Sequence, residues 1–191
     1  MNFELVPVQK DEKQILANLL EKYDYEFSQY DLRDVNKLGL YGYDYLDCYW
    51  TEPNRWAFFI KVDGTLAGFA MVNDYPELAE LPADYHMSEF FVLYKYRRLG
   101  VGKLTAFKLF DMFSGTWALR RHPHNIPSVC FWDKIVSEYT KGNYTLYESY
   151  KDADYEDGTL GDAFYFSTIS DTRQNQSSPP TGLTKDKVDG F

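Results

Sequence analysis

The feature that most constrains the fold of this sequence is a strand, a basic glycine loop and a helix in direct succession. Residues 86–93 combine aromatic and β-branched side chains as a strand does, and an apolar helix is predicted over 101–113. The loop between them is Arg97-Arg98-Leu99-Gly100-Val101-Gly102-Lys103. Glycines allow a close approach to the backbone, and the free N–H groups of a first helical turn attract anions. The loop is therefore predicted to hold a phosphate or pyrophosphate group.

Two common phosphate-binding motifs do not fit this loop. A P-loop requires glycine where Arg97 stands and Ser or Thr after Lys103, where the chain has Leu104. The dinucleotide-binding fingerprint requires glycine at Thr105 and a βαβ unit early in the domain. What remains is the pattern R/Q-x-x-G-x-G/A, which Arg97 to Gly102 match.

The order of the other predicted elements indicates one α/β domain. They are a strand over 3–8, a helix that Asp11 caps with Gln14, a hairpin of strands 56–62 and 66–73 around Asp63-Gly64, a strand over 116–121, a helix capped by Asn125, and strands 144–150 and 163–169. Residues 30–53 are rich in Tyr, Asp and Gly and predict a short helix within an irregular segment. We expect a domain over 1–170 and a flexible tail over 171–191, where Gln, Ser, Pro and Gly dominate.

Composition narrows the function classes. The formal net charge of −9 opposes binding to nucleic-acid phosphates, and no apolar run approaches the roughly 20 residues that span a bilayer. Cys48 and Cys130 form no paired motif, and the N-terminus does not resemble a signal peptide. We expect a cytoplasmic protein without nucleic-acid or membrane partners; whether it forms a homodimer is left open.

The loop and its flanks resemble the GNAT superfamily of N-acetyltransferases over roughly residues 1 to 150. The segment Glu89-Phe90-Phe91-Val92 looks like the fourth strand of that family, and residues 125–135, with Phe131-Trp132, look like its later cofactor-flanking helix. Within the superfamily the chain most resembles a bacterial group of predicted acetyltransferases with an EFFV strand and an FW pair. The resemblance implies a mixed, largely antiparallel, V-shaped sheet flanked by helices.

The resemblance also implies acetyl-CoA as cosubstrate and no metal. The backbone of Phe90, Phe91 and Val92 would pair with the pantetheine arm, and the amides from Arg98 to Lys103 would take the pyrophosphate. Arg97, Arg98 and Lys103 would add positive charge. Asn125 would both cap its helix and contact pantetheine.

Acyl transfer to an amine needs a base, an oxyanion stabiliser and a proton for the leaving thiolate. Glu89 is the leading candidate base, provided that burial raises its pKa, and His86 on the same strand is a second candidate. The family's usual tyrosine acid is replaced by Trp132. We predict Tyr139 as the catalytic proton donor, with Tyr144 and solvent as alternatives.

The acceptor is expected to be a small-molecule or peptide primary amine. Residues 30–53 contribute Asp31, Asp34, Asp44 and Asp47 among many tyrosines, and carboxylates beside aromatic faces suit an ammonium group. We predict that Asp44 and Asp47 bind a cationic acceptor. The alternative is that they are solvated loop residues.

Two other functions remain open from the sequence. The missing tyrosine at Trp132 is compatible with a non-catalytic acyl-CoA-binding or regulatory module, and a plain nucleotide-binding protein would bind ATP or NAD in place of CoA. His122 and His124 lack the further ligands that a metal site needs, and Cys130 lacks a neighbouring base.

Overall fold

A computed structural model of the chain describes residues 1–78 and 80–169. Its helices and strands follow the predicted order. They are β1 (Phe3–Pro7), α1 (Lys13–Asp31), α2 (Cys48–Thr51), β2 (Arg55–Val62), β3 (Thr65–Asn73), β4 (Tyr85–Val92), α3 (Val101–Met112), β5 (Thr116–Arg121), α4 (Ile126–Thr140), β6 (Tyr144–Tyr147) and β7 (Asp162–Ser167). The predicted tail, residues 171–191, lies outside the described residues, as does Ser170.

The start of α1 differs from the prediction that Asp11 caps it with Gln14. The backbone N–H of Gln9 donates to the Glu12 carboxylate at 3.0 Å, and a 3-10 turn precedes the helix. A side chain three positions after the cap satisfies the cap's own N–H, as in a capping box. The capping pair is therefore Gln9 and Glu12, two residues before the predicted pair of Asp11 and Gln14.

The seven strands form one sheet in the order β1-β2-β3-β4-β5-β7-β6. Every neighbouring pair is antiparallel except β4 and β5. The turn between β2 and β3 has φ angles of 49° at Asp63 and 74° at Gly64, the left-handed values that a two-residue hairpin turn needs. The prediction of a mixed, largely antiparallel sheet flanked by helices is confirmed.

The helices cover the two faces of the sheet differently. On one face, α3 and α4 enclose a large aromatic core in which Phe110, Trp117 and Phe164 are fully buried. On the other face, α1 and α2 cover a second apolar cluster that includes Phe59 and Phe69. We call these the α3/α4 face and the α1 face.

Strands β4 and β5 separate after two paired positions. Tyr85 pairs with Trp117 and His86 with Ala118, and beyond them residues 87–92 have no strand partner on the β5 side within the described residues. The rest of β5 pairs only with β7. The sheet therefore opens as a V, and one edge of β4 is left without a strand partner.

A β-bulge in β4 decides which side chains turn to which face. Glu89 pairs with Met71, but the next residue of β3, Val72, pairs with Met87, so that Ser88 is an extra residue. An extra residue reverses the alternation of side chains along the strand. Glu89 therefore turns to the α1 face, while Met87 packs in the α3/α4 core.

Candidate active site

Glu89 lies where β4 parts from β5, at the bulge. The hydroxyl of Tyr23, on α1, is within hydrogen-bonding reach of its carboxylate. The Glu89 side chain is half-buried, so it keeps contact with the space between the two strands. The structure thus presents the predicted base at the opening of the V.

Burial raises the pKa of Glu89 from its ordinary value of 4.5 to about 7. The Tyr23 hydroxyl and the Arg120 guanidinium lower it, whereas the charges of Glu77 and Asp24 raise it. A carboxyl with a pKa near 7 is present in both protonation states at neutral pH, which is what a general base needs.

Tyrosines from three separate segments surround Glu89. They are Tyr23 on α1, Tyr43 and Tyr49 before and within α2, and Tyr155 in the connection between β6 and β7. Burial raises the pKa of Tyr49 to about 12, and it raises the pKa values of Tyr43 and Tyr155 above their ordinary range. These phenols therefore remain neutral at physiological pH.

Arg120 supplies positive charge on the same face. Its neighbours Trp117 and Leu119 point into the α3/α4 core, so alternation turns Arg120 toward the α1 face. Its guanidinium carbon lies 5.3 Å from the centre of the Tyr155 ring, and its side chain is exposed. We call the region between Glu89, Arg120 and the four tyrosines the Glu89 cleft.

Sequence patterns did not reveal most of the residues that form this cleft. Tyr23 belongs to no recognisable motif, and the tyrosines of 30–53 were predicted only as aromatic neighbours of the aspartates. Arg120 carried a usable signal, because it is a charged residue on a strand otherwise predicted to be buried. Tyr155 lies in an irregular connection and carried none.

The glycine loop has an open row of backbone donors. The N–H groups from Arg98 to Lys103 have no backbone acceptor in the part of the chain that the structure describes. Arg98 and Gly100 have φ angles of 61° and 83°, and such left-handed residues turn successive N–H groups toward one side. A Cβ on Gly100 would meet no atom within 4 Å, so the surrounding space is open. These features fit a diphosphate group.

Two basic residues of the loop do not point at this space. Arg97 donates to both carboxylate oxygens of Glu26 at 2.7 and 2.8 Å, and its Nε donates to the Val92 carbonyl at 2.6 Å. Lys103 pairs with Glu138 of α4. Both were predicted to add charge for the phosphates. The structure instead shows that they tie the loop to α1 and α4, because carboxylates on those helices lie within reach.

The absence of a side chain at Gly102 leaves room for the Phe131 ring. A Cβ at this position would come within 2.9 Å of the Phe131 ring. Phe131 in turn stacks on Phe90, with ring centres 5.5 Å apart, and Trp132 meets Phe90 edge-on at 5.1 Å. Phe90 and Trp132 therefore belong to the packing of β4 against α4, and a valine at Gly102 would disturb that packing before reaching any ligand.

The predicted cap of α4 is confirmed. The Asn125 side chain accepts from the backbone N–H of Ser128 at 3.2 Å, and Pro127 lies in the first turn. The structure does not test the further prediction that Asn125 contacts pantetheine.

Tyr139, the predicted proton donor, lies away from Glu89. Its hydroxyl donates to Asp111 near the end of α3 at 2.7 Å, and its ring packs edge-on against Phe107 and Phe110 at 5.0 Å. Burial and the Asp111 charge raise its pKa above the ordinary range. Helical periodicity turns Tyr139 into the seam between α3 and α4, on the face of the sheet opposite Glu89.

The aspartates of the 30–53 segment are not the groups nearest the cleft. Asp47 pairs with Lys13 and its side chain is 72% exposed, and Asp44 is exposed as well. The neighbouring Tyr43 and Tyr49 approach Glu89 instead. Asp44 and Asp47 are therefore surface residues, and the segment faces the cleft with phenols.

The histidines offer neither a second base nor a metal site. His86 is only 1% exposed and burial lowers its pKa, so it has no access to an amine. His122 is equally buried. Within residues 1–78 and 80–169, no group of three or more His, Cys, Asp or Glu residues could hold a metal ion.

Comparison with known families agrees with this geometry. A model of the acetyltransferase (GNAT) family matches residues 15–136, a stretch that includes Glu89, the glycine loop and most of α4. The chain therefore belongs to the acetyltransferase (GNAT) family, whose members use acetyl-CoA. No curated protein matches the sequence at a significant level. The narrower bacterial group is not confirmed by these comparisons.

Solved structures share the fold at low sequence identity. An acetyltransferase from Thermus thermophilus is 15% identical with a TM-score of 0.64, covering 87% of this chain and 97% of its own. A spermidine N-acetyltransferase (SpeG) mutant from Vibrio cholerae is 8% identical with a TM-score of 0.58, covering 87% and 94%. The PaiA N-acetyltransferase from Thermoplasma acidophilum, solved with coenzyme A, is 12% identical with a TM-score of 0.53, covering 87% and 99%. Among the described residues, no helix is both long and apolar enough to cross a membrane.

Proposed function

We propose that this protein transfers an acetyl group from acetyl-CoA directly to a primary amine, with Glu89 as the general base. The observation that carries the proposal is the position of a half-buried carboxyl with a pKa near 7 on the strand that leads into the glycine loop. A base and an anion-binding loop on one continuous segment can bring an amine to a thioester.

The chain has groups suited to each part of acetyl-CoA. The open amides from Arg98 to Lys103 would bind the pyrophosphate, with Arg98 as the cation nearest to it and Leu99 and Val101 contributing only backbone. The backbone of Phe90, Phe91 and Val92, at the edge of β4 that faces the V, would pair with pantetheine, and Asn125 would contact it from α4. The Val92 carbonyl accepts a hydrogen bond from Arg97, so the last residue of β4 is held in place by the loop that follows it.

The proposed reaction needs few groups. Glu89, directly or through a water, removes a proton from the ammonium form of the acceptor, and the neutral nitrogen attacks the thioester carbonyl carbon. The carbon–sulfur bond then breaks, and the nitrogen loses a second proton as it becomes the amide nitrogen. The thiolate takes up one of the two protons lost by the nitrogen, and the other passes to solvent. Because the pKa of Glu89 is below that of an ordinary thiol, about 8.5, protonated Glu89 can return the proton. This route needs no tyrosine at the position of Trp132.

Trp132 also favours a second candidate, a non-catalytic acyl-CoA-binding module. It is 6% exposed and packs on Phe90, so the position offers no proton donor. This candidate predicts CoA binding without turnover of any amine. For either function we propose a cytoplasmic location, because Cys48 and Cys130 are free thiols.

Thermal unfolding with ligands tests the cofactor site. Acetyl-CoA at a hundredfold excess over its Kd should stabilise the protein by about 2.7 kcal/mol. Arg98→Glu, which places a negative charge beside the open amides, should remove most of that shift, whereas Lys108→Glu, the same charge change two turns along α3, should retain it. A shift from ATP or NAD but not from CoA would refute the proposal in favour of a nucleotide-binding protein.

Release of free CoA in the presence of a panel of primary amines tests the reaction. Turnover with at least one amine, lost in Glu89→Gln while the acetyl-CoA thermal shift persists, supports the proposed enzyme. A thermal shift with CoA but no turnover across polyamines, amino acids, aminoglycosides and peptide N-termini would support the non-catalytic module.

A further inference from the structure

The Glu89 cleft contains a cation that the proposed reaction does not use. Arg120 is exposed on the α1 face of β5, across the opening of the V from Glu89. The charges of Glu89 and Glu77 act on it, yet no carboxylate in the described ranges lies within 4.0 Å of its guanidinium. It is therefore positioned within the cleft without being neutralised by an ion pair there.

The next residue shows what a structural arginine looks like in the same strand. Arg121 is 5% exposed, and its guanidinium contacts Asp133 at 2.6 Å, Asp162 at 3.2 Å and the Val129 carbonyl at 3.1 Å. Its donors are used within the protein. Arg120 is exposed, and its guanidinium donates to no protein acceptor among the described residues, so the two neighbouring arginines differ in environment.

The position of Arg120 is restricted even without an ion pair. Its guanidinium lies over the Tyr155 ring, and that ring packs 5.6 Å from Phe27 and 4.7 Å from His122. Gly161 permits this arrangement, since a Cβ there would come within 2.8 Å of Tyr155. A guanidinium held against an aromatic face keeps its edge free, and that edge has the geometry for two parallel hydrogen bonds to an oxyanion.

The carboxylates nearest to Arg120 are engaged elsewhere. Glu77 accepts from the Asn73 amide at 2.6 Å and from the Ser88 hydroxyl at 3.0 Å. Glu89 has Tyr23 within hydrogen-bonding reach. An anion brought by a ligand would therefore meet little competition from the protein.

We propose that Arg120 binds an oxyanion of the acceptor, so that the acceptor is a primary amine that also carries a carboxylate or phosphate group. This inference rests on the proposed function. The amine lies at Glu89 and the oxyanion at Arg120, on the two sides of the opening between β4 and β5. A free amino acid is the simplest molecule with both groups. Polyamines, which lack an anion, are poor acceptors because they leave Arg120 unpaired.

Paired acceptors that differ only in the anion test this assignment. CoA release is measured for each common amino acid and its primary amide, and for O-phosphoethanolamine against ethanolamine. For the best amino acid, wild-type kcat/KM should exceed that of the amide by about 100-fold, because a site built for a polar group rejects an analogue that lacks it. A large preference for O-phosphoethanolamine alone would support the oxyanion assignment with phosphate as the group bound.

The variant Arg120→Gln should reduce the acid-to-amide ratio to within about threefold of one. Lys151→Gln removes a cation that pairs with Glu80 on the outer surface of the β6–β7 connection, and it should keep the wild-type ratio. An acid-to-amide ratio near one in the wild type together with no preference for O-phosphoethanolamine over ethanolamine would overturn the assignment. A preference that is unchanged in Arg120→Gln would overturn it as well. A retained acetyl-CoA thermal shift in Arg120→Gln shows that the variant is folded.

Binding of the reaction products separates this inference from the proposed function. With CoA present, N-acetyl amino acids should raise the unfolding temperature of the wild type more than their amides do, and Arg120→Gln should abolish that difference. Equal shifts from acid and amide, together with equal acetylation of O-phosphoethanolamine and ethanolamine, would refute the role of Arg120 even if amines are acetylated. Preferential binding of the acids without turnover of any amine would instead refute the proposed enzyme and keep the oxyanion site.

Discussion

The two faces of strand β4 differ in chemistry within a few residues. On the α3/α4 face, Met87, Phe90 and Val92 pack among aromatic rings. On the α1 face, Glu89 lies among phenols and faces the Arg120 guanidinium. One face contributes to the stability of the fold, whereas the other holds a costly half-buried carboxyl, whose raised pKa suits proton transfer.

The bulge at Ser88 makes this division possible. Without the extra residue, alternation would turn Glu89 into the aromatic core with Met87, where the neighbouring side chains are apolar. The same irregularity lies beside the point where β5 separates from β4. Local disruption of the sheet thus places both the proposed base and the opening between β4 and β5 at one point of the fold.

The largest expected effect is a loss of activity from a substitution on the α1 face. Glu89→Gln should lower kcat by about 100- to 10,000-fold, because general base catalysis contributes that much. In the wild type, activity should rise with pH through about 7 as the carboxyl loses its proton, and this acidic limb should vanish in the variant. Steady-state kinetics from pH 5 to 9 check both. Glu80→Gln, an exposed carboxyl paired with Lys151, serves as control and should keep wild-type kinetics.

A substitution on the α3/α4 face should instead lower the free energy of unfolding. Phe110→Leu loses part of a fully buried ring that meets Trp117, Tyr139 and Phe166 edge-on, and should cost about 1 to 3 kcal/mol of unfolding free energy. Urea unfolding measures this cost. The folded variant should keep the wild-type kcat, and a tenfold loss of kcat at constant fold would show that the two faces are not independent.

The loop contains a similar contrast between Arg97 and Arg98. Arg97→Gln breaks the bidentate contact to Glu26 on α1 and should cost about 1.5 to 3 kcal/mol of stability, since it leaves a half-buried carboxylate unpaired. Arg98→Gln should raise KM for acetyl-CoA and leave stability within about 0.5 kcal/mol. Chemical unfolding together with KM measurements separates the two. Equal losses of stability would contradict the assignment of Arg97 as the structural residue.

The smallest expected effect is a shift of the pH profile of activity, which should occur in Tyr23→Phe but not in Tyr139→Phe. Tyr23→Phe removes a hydroxyl that lowers the pKa of Glu89, so the acidic limb of the pH profile should move to higher pH, by less than about one unit. Tyr139→Phe removes the hydrogen bond to Asp111 and should cost about 1 kcal/mol of stability without moving that limb. The reverse pattern would restore Tyr139 as the proton donor.

Most of the fold could be predicted from the sequence because its signals are local. The Asp63-Gly64 turn, the Asn125 cap and the glycine loop each depend on a few adjacent residues, and each lies where it was predicted. The capping residue of α1 was misassigned because Gln9 and Asp11 both offer a plausible spacing. The family resemblance then predicted a mixed, largely antiparallel, V-shaped sheet, without its strand order.

The cleft could not be predicted in the same way. Glu89 was found because it lies on the cofactor strand, but its partners come from α1, β5 and the β6–β7 connection, far apart in the chain. The pairing of Arg97 with Glu26 was not predicted for the same reason, since Glu26 is 71 residues away. Spacing along a sequence does not reveal which charges are already paired, and that pairing decides which cations remain for ligands.

The central claim is that Glu89 is an ionisable group on the α1 face with a pKa suited to proton transfer. Titration of the side-chain carboxyl carbons by NMR in protein labelled with 13C-glutamate, with Glu89→Gln to assign the signal, measures it directly. The structure predicts a midpoint near pH 7 for Glu89. A midpoint close to the ordinary value of 4.5 would show a solvated carboxylate and contradict its role as the base.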